Sequence, residues 1–141
     1  MTVKKWLGRA RYIEREIALL QKTKQETRDQ LTKITQSYED NDGVQSTKDP
    51  HKFDRLAEFD SMIDEKVDEL YAVKMEIMQA IFLLDDRLQK IVLLSYYVRM
   101  KTFEQIAVEQ NYSFRQITNI RRHGIVELQR LIGDKLKQSF P

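Results

Sequence analysis

Residues 101 to 124 read KTFEQIAVEQNYSFRQITNIRRHG, and their reading decides what the C-terminal part of this chain is. One apolar pattern is interrupted at Asn111, Tyr112 and Ser113 before a second begins. Thr102-Phe-Glu-Gln105 has the form of a capping box: the threonine hydroxyl accepts from the amide three residues on, and the glutamine side chain accepts from the threonine amide. Ser113-Phe-Arg-Gln116 is a second such box. Two helix starts eleven residues apart leave room for a helix from Phe103 to Gln110 and a turn of three residues. That spacing predicts a helix-turn-helix, in which two short helices meet at a steep angle across a tight turn.

The side chains suit this geometry. Ile106 and Ala107 are expected to face the second helix, with the small Ala107 permitting close approach. Tyr112 is expected to plug the corner, and Ile117 and Ile120 to form the inner face of the second helix. Asn111 stands where a left-handed backbone is needed, and asparagine tolerates that conformation better than most residues. Gln110 is a poor match, because an apolar residue is more usual there. With Ile117 and Ile120 inward, Ser113, Phe114, Arg115, Thr118, Asn119 and Arg122 fall on the outer face, the face a recognition helix turns to the major groove. Arg115 and Arg122 suit guanine edges or phosphates, Asn119 an adenine edge, and Thr118 a thymine methyl. Ser113 suits a phosphate at the helix start. Arg121 and His123 are added as contacts to the backbone, although a solvated cation is the plain alternative for Arg121, as for Arg130, Lys135 and Lys137.

Outward from this stretch the chain reads as helix throughout. Upstream, Asp85-Asp86 offers an N-cap for LQKIVLLSYYVRM, whose apolar residues nearly encircle it, as in the buried centre of a domain. Further upstream, steps of four and three from Trp6 to Tyr38 and from Leu56 to Leu84 pick out two apolar seams, weakened at Lys24, Thr27, Asp60 and Lys74. Between them, EDNDGVQSTKDP at 39–50 is a turn-forming segment ending in an Asp49-Pro50 helix start. The fold class expected is therefore all-α: a long antiparallel helical hairpin over 1–82 with its loop at 39–50, then a helix-turn-helix bundle over 83–141. Helices of this length reach about 50 Å at 1.5 Å per residue. The hairpin is either an extended coiled-coil arm for dimerisation or a wrapping for the C-terminal helices. Glycine costs about 1 kcal/mol relative to alanine inside a helix, so Gly124 is expected to mark a bend or a boundary before a separate last helix.

Composition sets limits. The chain of 141 residues is 33% charged and 41% hydrophobic with four Gly and two Pro, which suits a helix-rich protein. It has no cysteine, which excludes disulfides and thiolate metal sites. The apolar run AIFLL…IVLLSYYV is interrupted by charges and falls short of the roughly 20 residues a membrane helix needs. No signal-peptide core is visible, so a cytoplasmic protein without a membrane partner is expected. The net charge of +2 conceals segregation: +5 over 1–38, −7 over 39–98 and +4 over 99–141.

The stretch LDDRLQKIVLLSYYVRMKTFEQIAVEQNYSFRQITNIRRHGIVELQRLI, residues 84 to 132, resembles region 4 of sigma-70 family factors. Taken with the basic KKWLGRARYIEREI start, the chain is similar to sigma-region-4-like regulators of phages and prophages, the late-gene regulators of the ArpU and RinA type. The resemblance implies a transcriptional activator of phage late or packaging genes in a bacterial host cell, bound to double-stranded DNA, with RNA polymerase as a further partner; the hairpin, read as a dimerisation element, makes a homodimer the expected state. Regions that open promoter DNA are not recognisable.

An enzyme is not expected. His51 and His123 have no metal-ligand spacing, no Gly-rich phosphate loop exists, and no cofactor is implied. Two other readings accompany the DNA-binding regulator: a DNA-packaging protein of the small-terminase type, and a sigma-mimicking module that docks on polymerase and ignores DNA.

Overall fold

The computed structural model describes the backbone of residues 1–40 and 52–139 and the side chains of 1–33 and 54–138. Every regular element among the described residues is a helix: α1 (Val3–Leu7), α2 (Arg9–Asp40), α3 (Lys52–Ile81), α4 (Arg87–Tyr97), α5 (Phe103–Gln110) and α6 (Phe114–Ser139). None is long and apolar enough to cross a membrane. Most of the turn expected at 39–50, its Asp49-Pro50 helix start, His51 and the side chains of Ile34 and Tyr38 lie outside the described residues.

Local signals account for the helix starts. Thr2 caps α1 by accepting from the Lys5 amide at 3.2 Å. The Asp86 carboxylate caps α4, accepting from the amides of Leu88 at 2.9 Å and Gln89 at 3.0 Å. Each of these bonds satisfies an N–H that the first turn of a helix leaves without a backbone partner.

The chain divides into two compact units, Met1–Tyr12 with Leu70–Pro141, and Ile13–Glu69. The first holds a core in which Val3, Trp6, Leu7 and Ala10 join Ile77 and Ile81 of the α3 end, Leu84 of the link that follows, Leu93 and Tyr97 of α4, and Leu128, Ile132 and Leu136 of α6. A fully buried Leu or Ile side chain is worth about 1.5–3 kcal/mol, so this core is a large part of what holds the unit together. The division expected at 82/83 does not coincide with these units. Trp6, Ala10, Ile77 and Ile81, all assigned to a coiled-coil seam, bury their side chains among the C-terminal helices instead.

In the second unit the seam periodicity survives in the burial pattern. Leu56 is buried, and Ile17, Leu20, Lys24, Thr27, Leu31 and Ile63 are half-buried, while Val67 is 46% exposed. The polar breaks in the two seams answer each other, because Lys24 of α2 pairs with Asp60 of α3. Beside Val67, the half-buried Lys66 of α3 bridges Glu16 of α2 at 2.8 Å and Glu69 at 3.2 Å. These carboxylates hold its ammonium above the ordinary lysine pKa.

No boundary falls at Gly124. α6 runs through it as one helix, and the residue is buried against α4. A Cβ there would lie 3.0 Å from Leu93 Cδ1, so glycine is explained by the close approach of two helices rather than by a break.

Candidate nucleic-acid interface

The turn between α5 and α6 is built by its own side chains. The Thr102 amide donates to Gln105 Oε1 at 2.9 Å while the Gln105 amide donates to Thr102 Oγ1 at 3.2 Å. The Ser113 amide likewise donates to Gln116 Oε1 at 2.9 Å, and the Gln116 amide to Ser113 Oγ at 3.1 Å. Asn111 adopts the left-handed conformation, φ 60° and ψ 40°. The Tyr112 amide then donates back to the Ala107 carbonyl at 3.0 Å, closing the end of α5.

Below the turn, Ile106, Ala107 and Ile117 form a small buried cluster with Val92 of α4, and Ile120 packs against it. Tyr112 does not join them. Its side chain is 39% exposed, which corrects its expected place as the plug of the corner. Phe103 packs against the cluster instead: its ring stacks on Tyr96 of α4 with centroids 4.3 Å apart and meets Phe114 edge-on at 5.8 Å. A phenylalanine at the first turn of α5 reaches α4 and α6 together, whereas Tyr112 on the left-handed turn is carried outward.

The outer face of α6 is set by this packing. Phe114, Arg115 and Arg122 are exposed, and Thr118 and Asn119 are half-exposed between them. Three of these side chains are held in place. Asn119 Oδ1 accepts from Arg122 Nη2 at 2.9 Å, and the Thr118 hydroxyl donates to the Arg115 carbonyl at 2.9 Å. Ser113 is exposed, with its hydroxyl engaged in the capping box.

Arg121 and His123 stand apart from this row. Arg121 lies against the aromatic cluster, its Cζ 5.4 Å from the Tyr96 centroid and 5.2 Å from that of Phe103. Its Nε donates to Tyr97 Oη at 3.2 Å. His123 lines a shallow groove with Asp85, Asp86, Gln89, Val126 and Glu127. Three carboxylates beside it disfavour the phosphate contact expected of it. The described residues contain no group of three or more side chains suited to holding a metal ion. Arg130 pairs with Glu127, which raises the arginine pKa and lowers that of the carboxylate, so this cation is spoken for.

The electrostatics of the units sharpen what the thirds of the sequence suggested. The unit carrying α4–α6 holds fifteen Lys and Arg against seven Asp and Glu, a net +8, while residues 13–69 hold nine against fifteen, a net −6. A compact unit of such positive charge attracts polyanions over distances up to about a Debye length.

Sequence reasoning missed Arg11 and the Tyr96–Phe103 stack. Arg11 Nη1 donates to the Tyr96 carbonyl at 2.8 Å across 85 residues of sequence, and its Cζ lies 4.3 Å from the Tyr96 ring centroid. No local pattern signals a partner that far along the chain. The chain matches no known family, no curated protein and no solved structure with which it was compared.

Proposed function

We propose that this protein is a sequence-specific DNA-binding regulator of transcription, with α5 and α6 as its helix-turn-helix and α2 and α3 as a helical hairpin. The observation that carries this reading is the outer row of α6. Arg115, Thr118, Asn119 and Arg122 form a cationic, hydrogen-bonding face whose orientation is fixed independently by the doubly capped turn and by the burial of Ile117 beneath it. A helix of this kind fits the major groove, where such side chains distinguish base pairs. The net +8 of the same unit supports the reading, because neutralised phosphates supply most of the affinity in such complexes.

Binding of the full chain to short duplexes, followed by fluorescence anisotropy over a range of salt, tests it. Six or more phosphate contacts predict a loss of about 10³-fold or more between 50 and 200 mM salt. Arg115→Ala and Arg122→Ala together are expected to remove discrimination between the selected duplex and a scrambled one. A salt-independent signal, or full discrimination in the double variant, sinks the reading.

A further inference from the structure

Two guanidinium groups converge on one ring. Arg11, at the start of α2, and Arg121 of α6 hold their Cζ atoms 4.3 and 5.4 Å from the Tyr96 centroid. Phe103 covers one face of Tyr96, with the two rings inclined by only 4°. Arg11 therefore takes the other face. Arg121, nearly equidistant from both centroids, flanks the stack. The two guanidinium carbons thus lie within about 10 Å of each other, roughly one Debye length at 0.1 M salt.

Neither group has a carboxylate partner among the described residues. A guanidinium carries five N–H donors in a planar fork. Arg11 gives one to the Tyr96 carbonyl, and Arg121 gives one to Tyr97 Oη. Capping the α4 C-terminus accounts for the Arg11 bond, yet a cap needs only one donor and no second cation beside it. Like charges held together on a half-buried aromatic surface repel each other unless an anion lies between them. Bidentate donors favour an anion with several oxygens, and phosphate is the group arginine forks fit best. The cluster adjoins the proposed reading helix, because Phe103 touches Phe114, the first residue of α6.

We propose that Arg11 and Arg121 clamp one phosphate group, and that on the DNA-binding reading this is a phosphodiester of the duplex backbone. The start of α2 is then part of the nucleic-acid surface, contributing affinity without base discrimination.

The test uses the full chain and the variants Arg11→Ala, Arg11→Lys and Arg121→Lys, each checked for unchanged helicity. In the anisotropy assay Arg11→Ala is expected to lower the slope of log affinity against log salt by about one, equally on selected and scrambled duplexes. Affinity near 0.1 M salt is expected to fall about tenfold, while Arg11→Lys and Arg121→Lys retain the slope. A second arm measures the melting temperature in inorganic phosphate against chloride at matched ionic strength; the parent chain is expected to gain more from phosphate than Arg11→Ala does. If the parent binds DNA and the slope of Arg11→Ala is unchanged, the clamp is overturned. If the parent does not bind DNA, the regulator reading fails and the second arm decides. A phosphate gain lost in Arg11→Ala then leaves a site for free phosphate, and equal gains in the two chains overturn the clamp.

Discussion

Gly124 of α6 lies against Leu93 of α4 so closely that a Cβ on the glycine would meet Leu93 Cδ1 at 3.0 Å and Cγ at 3.4 Å. Leu93 is fully buried, so its side chain has little room to yield. Two opposed effects follow from Gly124→Ala: a gain of about 1 kcal/mol in helix propensity and an overpacking cost of about 1–3 kcal/mol. The expected outcome is a net loss of about 1 kcal/mol in urea unfolding. Leu93→Ala alone is expected to cost about 2–5 kcal/mol through the cavity it leaves. In that background Gly124→Ala changes sign and stabilises, since the new methyl enters the vacated space. The same sign in both backgrounds is incompatible with this contact.

The corner residue Asn111 gives a second prediction. Its φ of 60° is a conformation that costs most L-residues about 1–2 kcal/mol and glycine nothing. Asn111→Gly is expected to leave stability within about 0.5 kcal/mol, whereas Asn111→Ala loses about 1 kcal/mol. Chemical denaturation of the two variants side by side checks the order. A less stable glycine variant excludes the left-handed turn.

What was legible in the sequence was local. The paired boxes at Thr102 and Ser113 delimit α5 and the start of α6 because each is complete within four residues, and the Asp86 cap acts over three. Asn111 was readable for the same reason, since its conformational tolerance is a property of the residue. The failures share the opposite cause. Trp6 and Ala10 satisfy a heptad seam as well as they satisfy a globular core, and only the packing of α4 and α6 on them decides between the two. Gly124 looked like a break because its packing partner Leu93 is 31 residues away in sequence. Arg121 has the same local surroundings as Arg122, yet one step of about 100° around the helix takes it from the outer row to the aromatic cluster.

Tyr97 yields a pH prediction. The residue is only 3% exposed, and burial raises the phenol pKa above the ordinary value near 10, an effect the neighbouring Arg121 partly offsets. Because the folded pKa lies above the unfolded one, the contribution to stability is fully present below about pH 10 and is lost as pH rises through the folded pKa. Tyr97→Phe cannot ionise. Thermal melts from pH 8 to 11 are therefore expected to fall less steeply above pH 10 for Tyr97→Phe than for the parent. Parallel curves would show that Tyr97 ionises as readily folded as unfolded.

The bond between Asn119 and Arg122 changes what the proposed reading face should recognise. A bidentate contact to adenine uses an asparagine amide as both donor and acceptor, but Asn119 Oδ1 already gives one of its two lone pairs to Arg122 Nη2, which holds the amide in that orientation. What the pair presents is mostly donors, the Asn119 amide hydrogens and the remaining N–H groups of Arg122, against one remaining lone pair on Asn119 Oδ1. Guanine, with acceptors at both N7 and O6 in the major groove, matches a donor pair; adenine offers one acceptor and one donor. On the DNA-binding reading, selection from randomised duplexes is expected to enrich guanine at the position this pair contacts, with a mismatch there costing about 1–3 kcal/mol. Arg122→Ala frees Asn119 Oδ1 and is expected to shift that position toward adenine, leaving the other selected positions as they were. Adenine selected by the parent chain would mean that the bond opens on binding and that Asn119 reads alone.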